Sequence, residues 1–436
     1  MTSGELSIYF FLQAAVIVAS AQLAGRVARR IGQPPVVGEM VAGVMLGPSL
    51  FGLVLPQWQQ ALFPKPTMGT LYVLAQLGVG LYMFIVGLGF DAAQFRRRAR
   101  SAMSVSVAGV AVPFVLAFAL APWLQTVSGL FAPTARPLEA SLFLGAAIAI
   151  TAFPMLARIV HERGLTGTSL GTLTLAAGAF DDAASWCILA VVLASFGGSW
   201  ASAWAAIGGG IAFAAAMLLF GRRLLQRLGE GLGGGPGADE PRSGTYSPGP
   251  LPAGVLAAVL VLFCLSAFAM DAIGIHAVFG GFLLGCSLPR GPLTHKLREM
   301  LQPFVVVFLL PMFFTYSGLN TRLDLLLQPA LMLAAVAILL ASFCGKGVAC
   351  WAAARLNGEA NSEAMAIGAL MNARGLMELI IINIGLAAGV IEVGLFSILV
   401  LMAVVTTLMA TPLFDWIVRR DASMAPPAEG TREPVA

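Results

Sequence analysis

The sequence predicts an all-α polytopic membrane protein with about thirteen transmembrane helices, and three observations support this fold class. Of its 436 residues, 58% are hydrophobic and only 11% are charged, whereas soluble proteins average about 25% charged residues. The apolar residues form runs that can cross a bilayer, which takes about 17–25 residues. The basic residues lie in short clusters between these runs. A soluble enzyme and a disordered chain are therefore excluded, and nucleic-acid binding is not indicated.

Thirteen apolar runs are candidate spans within a transmembrane domain that covers residues 1–418. They lie near 7–25, 33–53, 68–90, 102–124, 138–158, 168–195, 201–221, 251–270, 273–289, 300–320, 328–353, 362–388 and 392–418. The Gly-, Pro- and Ser-rich segment 229–250 predicts a flexible cytoplasmic loop. Residues 419–436 predict a short disordered cytoplasmic tail.

The distribution of basic residues predicts the orientation in the membrane. Loops after odd-numbered spans, together with the C-terminal tail, contain 20 of the 25 Lys and Arg residues, and loops after even-numbered spans contain 3. Positively charged loops stay in the cytoplasm. We therefore expect an outside N-terminus and a cytoplasmic C-terminus, in the inner (plasma) membrane of the cell.

Two pairs of spans share a pattern that predicts an inverted repeat. The second span has Gly43 and Gly47 where the ninth has Gly281 and Gly285, and LYMFIVGL in the third span corresponds to MFFTYSGL in the tenth. Both pairs are seven spans apart, so the two copies cross in opposite directions. The pattern indicates six plus six spans around a linker helix at 201–221. Such repeats are typical of secondary transporters, which bind substrate on discontinuous helices near the midplane.

The repeat relates the fifth span to the twelfth, and each contains a weak point halfway. The fifth has Thr151-Ala-Phe-Pro154, and a proline removes a helical hydrogen bond. The twelfth has the polar, glycine-containing sequence Asn372-Ala-Arg374-Gly375. We therefore expect two crossed discontinuous helices, with breaks at Pro154 and at Asn372–Gly375.

Five charged residues lie deep inside apolar spans, away from the span ends, where each costs at least about 2.5–3.5 kcal/mol. Asp181 and Asp182 lie at the midpoint of the sixth span, which predicts a functional site. Lys346, in the eleventh span, is their candidate charge partner, although its side chain could instead reach the interface. Arg374 and Glu378 are four residues apart, which predicts an ion pair that braces the core.

The charges in the membrane do not balance. If Arg374 satisfies Glu378 and Lys346 satisfies one aspartate, the other aspartate has no fixed partner. A lone carboxylate in hydrocarbon must bind a proton or a cation. Competition between the two for one carboxylate is the chemical requirement for cation/proton exchange.

At these residues the sequence resembles the monovalent cation:proton antiporters of the second cation/proton antiporter family, which includes bacterial Na+/H+ antiporters, plant cation/H+ exchangers and the membrane part of Kef potassium-efflux systems. The resemblance covers nearly all of residues 7–418. The motifs that carry it are Gly32-Gln-Pro-Pro-Val-Val-Gly-Glu-Met-Val-Ala-Gly-Val-Met-Leu-Gly-Pro-Ser49, Thr151-Ala-Phe-Pro-Met-Leu-Ala-Arg158, Asp181-Asp182, Gly345-Lys346 and Met371-Asn-Ala-Arg-Gly-Leu-Met-Glu-Leu379.

The resemblance implies a homodimer that works by alternating access. Its scaffold would comprise about 1–100 and 251–325, and its moving core about 101–195 and 326–418. It further implies that Asp182 binds the monovalent cation, that Asp181 pairs with Lys346, and that Thr151 lies near the ion. The transported cation and H+ are cargo, and we expect no cofactor.

Other functions stay open at this point. A K+/H+ exchanger or a Kef-like K+ efflux pathway is the first alternative. Many potassium-type members lack the first acidic residue of the pair, however, and the residues after 418 are too few for the nucleotide-binding domain of Kef systems. A Na+-coupled organic-anion symporter of related fold is the second alternative, although it would not need a lysine facing two aspartates. An enzyme is not supported, because the sequence has no nucleophile motif, metal-ligand cluster or phosphate loop.

Overall fold

The computed structural model describes residues 3–89, 99–165, 168–196, 200–217, 251–273, 277–289 and 291–421. The predicted loop 229–250 and the tail after residue 421 lie outside these ranges. The helices are α1 (Ser3–Arg30), α2 (Pro35–Leu46), α3 (Phe51–Val54), α4 (Pro56–Leu62), α5 (Met68–Leu88), α6 (Ala99–Leu124), α7 (Pro137–Ala149), α8 (Phe153–Glu162), α9 (Ser169–Phe196), α10 (Trp200–Ala216), α11 (Ala253–Ile273), α12 (Ala277–Ser287), α13 (Pro292–Leu319), α14 (Pro329–Leu356), α15 (Asn361–Leu370), α16 (Leu376–Ala387) and α17 (Val393–Arg420).

The predicted fold class is confirmed: the described residues form helices, and β-structure among them is limited to one isolated bridge between Phe131 and Ile391. Eight helical segments among these residues are long and apolar enough to cross a membrane: Gly4–Arg30, Pro35–Val54, Lys65–Leu88, Arg100–Leu124, Ala253–Ile273, Pro292–Leu319, Pro329–Leu356 and Val393–Arg420. The segments Pro137–Ala149, Ala277–Ser287 and Glu378–Ala387 are apolar but shorter. The total of thirteen spans stays a prediction.

The fifth and twelfth predicted spans are both discontinuous. The fifth consists of α7 and α8, separated by residues 150–152, and the twelfth consists of α15 and α16, separated by residues 371–375. The first break precedes Pro154 and does not lie at it, which corrects the predicted position. Pro154 is the second residue of α8. In a first turn, a missing N–H costs nothing, because that group has no helical acceptor.

The two breaks contact each other and exchange hydrogen bonds. The backbone N–H of Ala152 donates to the carbonyl of Ala373 at 3.0 Å. Backbone groups outside helices must find partners in a membrane, where water is absent. Each break therefore supplies part of what the other lacks.

The chain forms two compact units. The first comprises residues 1–24, 42–91 and 189–319, and the second comprises 25–41, 92–188 and 320–436. A division into scaffold and moving core is a statement about motion, and it stays a prediction.

In the first unit, the repeated glycines lie where helix backbones approach closely. A methyl group at Gly43 would overlap the carbonyl of Phe314, and one at Gly285 would overlap the carbonyl of Phe84. The second predicted span thus packs against the tenth, and the ninth against the third. Small residues permit such close helix contacts in membranes.

In the second unit, α14 packs against α6 and α15, and α15 packs against α17. A cluster of buried apolar side chains connects these helices with α8 and α9. This unit contains every described charged residue that the sequence places inside a span.

Candidate functional site

Asp181 lies at the middle of α9, and its side chain is fully buried. Ser106 Oγ donates to Oδ1 at 2.6 Å. Lys346 Nζ donates to Oδ2 at 2.6 Å, and Thr151 Oγ1 lies 2.8 Å from the same oxygen. Three donors surround the carboxyl group, and one of them is a cation. This arrangement suits an ionised aspartate.

Lys346 is fully buried at the start of the last helical segment of α14, immediately after a π-helical turn at Ala341–Gly345. Besides Asp181, its Nζ donates to the carbonyls of Gly109, at 3.4 Å, and of Ala149. An ammonium group has three protons, and three acceptors are present. The geometry therefore suits a charged lysine with every proton in use.

The hydroxyl of Thr151 has two potential acceptors but only one proton to donate. Its Oγ1 lies 2.8 Å from Asp181 Oδ2 and 2.8 Å from the carbonyl oxygen of Met371. When Asp181 is ionised, Thr151 can donate to it. When Asp181 carries a proton, Thr151 Oγ1 can accept a hydrogen bond from it and donate to the carbonyl of Met371. The orientation of this hydroxyl thus depends on the charge of Asp181.

Arg374 lies in the second break, and its guanidinium is fully buried. Nη1 donates to the carbonyls of Ala147 and Ile150, both at 3.2 Å, and Nη2 donates to the carbonyl of Ile148 at 2.6 Å and to Ser342 Oγ. The last carbonyls of a helix have no helical donor. Arg374 supplies the missing donors at the end of α7.

Arg374 and Lys346 together occupy the C-terminal end of α7. Arg374 binds the carbonyls of residues 147, 148 and 150, and Lys346 binds the carbonyl of residue 149. A helix C-terminus has a partial negative charge that favours cations. Both buried cations therefore bind the end of a broken helix, and Lys346 also binds the carboxylate of Asp181.

Glu378 lies in the first turn of α16 and is fully buried. Its Oε2 is 3.5 Å from Arg374 Nη1, and neither carboxylate oxygen has a hydrogen-bond partner among the described residues. Asn372 donates from Nδ2 to the carbonyl of Gly368 at 3.0 Å, while its Oδ1 has no partner in the described part of the chain. Gly375, just before α16, has an extended backbone.

The structure thus brings Asp181, Thr151 and Lys346 into direct contact, and it places Arg374 close to Glu378 without a hydrogen bond. Asp182 follows Asp181 in α9 and Pro154 lies in α8, but their side chains are outside the part that the structure describes. Asn372 and Gly375 lie in the second break.

Sequence reasoning missed Ser106 and Ser342. Each serine lies in an apolar span, where its hydroxyl could bond to its own helix and leave no signal. Ser106 could have been identified as a polar residue on the face of α6 that meets the site, but the sequence does not show which helix faces meet. The α7 carbonyls that bind Arg374 and Lys346 belong to the backbone, so no residue type in the sequence marks them as part of the site.

Comparison with known proteins agrees with this architecture. The family described as "Sodium/hydrogen exchanger, transmembrane" matches residues 16–420. The chain is 38% identical to the Na+/H+ antiporter NhaS4 of Synechocystis sp., over 91% of this chain and 94% of that protein. It is 34% identical to cation/H+ antiporter 20 of Arabidopsis thaliana over 92% of this chain, which spans 47% of that longer protein.

The fold is also similar to a solved structure. The sodium proton antiporter MjNhaP1 of Methanocaldococcus jannaschii has a TM-score of 0.64 with this chain, at 12% identity, over 95% of this chain and 99% of that one. At that identity the likeness concerns the fold alone. The family match, by contrast, extends over the two helix breaks and every buried charge described above. The chain therefore belongs to the sodium/hydrogen exchanger family of transmembrane proteins.

Proposed function

We propose that the protein is a secondary active antiporter that exchanges a monovalent cation, Na+ before Li+ or K+, for protons. The observation that carries this proposal is the fully buried pair of Lys346 and Asp181, which lies beside two helix breaks and one residue from a second aspartate. The similarity to the Na+/H+ antiporter of Synechocystis supports Na+ as the first cation to test.

In this mechanism the two aspartates have different tasks. Asp181 is held as an anion by Lys346, Ser106 and Thr151. Its charge is compensated, so it does not need a transported ion. The family resemblance assigns the cation to Asp182, whose carboxylate binds a cation or a proton in turn, because either one neutralises its single negative charge.

Transport would then proceed by alternating access. The core, about 101–195 and 326–418, contains Asp181, Lys346 and Arg374 and would move, while the scaffold, about 1–100 and 251–325, would form the homodimer interface. We further propose an outside N-terminus and a cytoplasmic C-terminus in the inner membrane. Cysteines introduced singly into polar loops, and labelled with an impermeant reagent on intact cells, test this orientation.

The function is tested by dye-reported proton movement in proteoliposomes that contain the purified protein, with Na+, Li+, K+ and choline offered in turn. Asp182→Asn should abolish exchange, because an amide cannot trade a proton for a cation. Asp324→Asn is the control: this partly exposed aspartate accepts hydrogen bonds from Arg322 at 2.9 and 2.7 Å, which lower its pKa. It lies outside the site, and the variant should exchange normally.

Each outcome separates the candidate functions. Proton movement with K+ alone would replace Na+ by K+ as the substrate. Cation flux without proton movement would favour a Kef-like efflux pathway, and Na+ uptake that requires an organic anion would favour a symporter. Full exchange by the Asp182→Asn protein, or equal responses to every cation including choline, would contradict the proposal.

A further inference from the structure

Glu378 is a buried acid that the proposed exchange at Asp182 does not use. Its carboxylate is completely buried, and both oxygens lack hydrogen-bond partners within the described residues. The distance of 3.5 Å to Arg374 Nη1 exceeds that of a normal hydrogen bond. An ionised carboxylate in such a position is costly, because a buried charge needs hydrogen bonds as well as an opposite charge.

Arg374 cannot easily improve this geometry, because both Nη atoms are already in use and only Nε lacks a hydrogen-bond partner among the described residues. Nη1 donates to the carbonyls of Ala147 and Ile150, and Nη2 donates to Ile148 and Ser342. Turning the guanidinium toward Glu378 would leave carbonyls at the end of α7 without donors. The carboxylate and the broken helix therefore compete for one guanidinium.

Two further influences act on Glu378 in the opposite direction. It lies in the first turn of α16, where the helix N-terminus favours negative charge. Besides Arg374, the positive charge of Lys346 also acts on it. Burial without hydrogen bonds favours the neutral acid, and these charges favour the carboxylate. The balance between the two forms can thus be shifted by a small movement.

In the described part of the chain, the other helices packed against α16 add no charged group that acts on Glu378. These helices are α7 and α17. The acids on them lie toward the helix ends: Glu139 in the first turn of α7, Glu392 directly before α17 and Asp415 near the end of α17. Among the described charged groups, Arg374 and Lys346 are therefore the two that act on Glu378.

A short path connects Glu378 to the Asp181 site. Thr151 contacts Asp181 at 2.8 Å, and the peptide carbonyl immediately before Thr151, that of Ile150, accepts from Arg374 Nη1 at 3.2 Å. The same Nη1 atom is the one nearest to Glu378. A shift of the first break moves the Ile150 carbonyl and so weakens its hydrogen bond with Arg374.

We propose that Glu378 is a second proton-binding residue of the core, coupled to the cation site through Arg374. It holds a proton while Arg374 is bound by the carbonyls of α7. When cation binding shifts the first break, Arg374 is released to pair with Glu378, whose proton leaves to the water on the open side. This inference rests on the proposed function for its coupling, but proton binding by Glu378 can be measured without transport.

Infrared spectroscopy of the purified protein tests proton binding. The wild type should show a carbonyl stretch of a protonated carboxylic acid at mildly acidic pH, and this band should disappear as the pH is raised. Glu378→Gln should remove the band, and Glu378→Asp should restore it at a shifted frequency. Glu139→Gln is the control, because Glu139 is a largely buried glutamate whose Oε2 accepts from the backbone N–H of Arg136 at 3.0 Å. That variant should keep the band.

Addition of NaCl, with choline chloride as the control salt, tests the coupling. Na+ should diminish the Glu378 band in the wild type, but it should not do so in the Asp182→Asn protein. Identical spectra for the wild type and Glu378→Gln would overturn the proposal, because Glu378 would then be ionised throughout. A band that ignores Na+ in protein that exchanges Na+ would overturn the coupling. A normal Glu378 band in protein that exchanges no cation would instead contradict the proposed function and leave the proton site standing.

Discussion

The second unit contains two buried pairs of opposite charge, and their surroundings differ. Asp181 receives hydrogen bonds from Lys346 and Ser106 and lies within hydrogen-bond distance of Thr151, whereas Glu378 receives none within the described part of the chain. In the first pair, Lys346 donates a hydrogen bond to the carboxylate of Asp181. In the second pair, Arg374 donates to carbonyls at the end of α7 and not to Glu378. A short distance between opposite charges therefore does not define a buried ion pair. A buried ion pair is stable only if the cation also donates hydrogen bonds to the carboxylate.

The largest expected effect comes from breaking the first pair. Lys346→Met leaves Asp181 as an uncompensated buried charge, and we expect a loss of about 3–5 kcal/mol in the free energy of unfolding. The double variant Lys346→Met, Asp181→Asn should regain part of this loss, because the stranded charge is gone. Unfolding in detergent measures both. Equal stability of the single variant and the wild type would indicate that Asp181 is already protonated.

The same lysine should determine whether exchange is electrogenic. If cation binding at Asp182 displaces Lys346 from Asp181, the protons of Lys346 and Asp182 both move against one cation, and a proton from Glu378 would add to the net charge. Each net charge moved is worth about 2.3 kcal/mol per 100 mV. Na+-driven proton movement in sealed vesicles should then respond to a potential set with valinomycin, and Lys346→Gln should weaken that response. Exchange by the wild type that ignores the potential would make Lys346 a structural partner only.

Breaking the second pair should lower the free energy of unfolding by less, and the loss should be larger for a variant of Arg374 than for a variant of Glu378. Arg374→Met removes four hydrogen bonds, and at about 0.6 kcal/mol for each such bond in a membrane this costs about 2–3 kcal/mol. Glu378→Gln should cost less than about 1 kcal/mol, because no hydrogen bond is lost. The coupling energy from the double-mutant cycle should stay below about 1 kcal/mol. A coupling energy as large as that of Lys346 and Asp181 would show that the two pairs are equivalent.

The parts of this arrangement that the sequence predicts are those that the membrane enforces. Long apolar runs, polar breaks and buried charges are visible in sequence because hydrocarbon penalises every exception. The resemblance implied the contact of Asp181 with Lys346, and the structure has the two side chains together. The break near Pro154 was expected in the correct span but a few residues too late, because a proline suits the first turn of a helix as well as its interruption.

The parts that could not be predicted depend on which helix faces meet. The spacing of Arg374 and Glu378 indicated a helical pair, but Arg374 lies in the break and only Glu378 lies in α16. The orientation of the Arg374 guanidinium is set by hydrogen bonds to carbonyls that are more than 220 residues away in sequence. No local pattern encodes such partners.

The smallest expected effect concerns a helix carbonyl that accepts a hydrogen bond from a neutral side chain. The carbonyls at the end of α7, by contrast, accept from the buried cations. Pro412 inside α17 has no N–H, so the carbonyl of Leu408 loses its helical donor. Gln33 Nε2 donates to that carbonyl at 3.2 Å. Gln33→Met should cost about 0.6 kcal/mol in detergent unfolding.

The proline provides the test of this cause. In a Pro412→Ala background the helix supplies its own N–H to Leu408, so the cost of Gln33→Met should fall toward zero. Gln125 is the matched control, because it donates to the carbonyl of Ala135 at 3.1 Å, far from any effect of Pro412. Gln125→Met should cost the same in both backgrounds. If the cost of Gln33→Met is also the same in both, the glutamine is not compensating for the proline, and its conformation is set by packing of the Gly32–Pro34 turn.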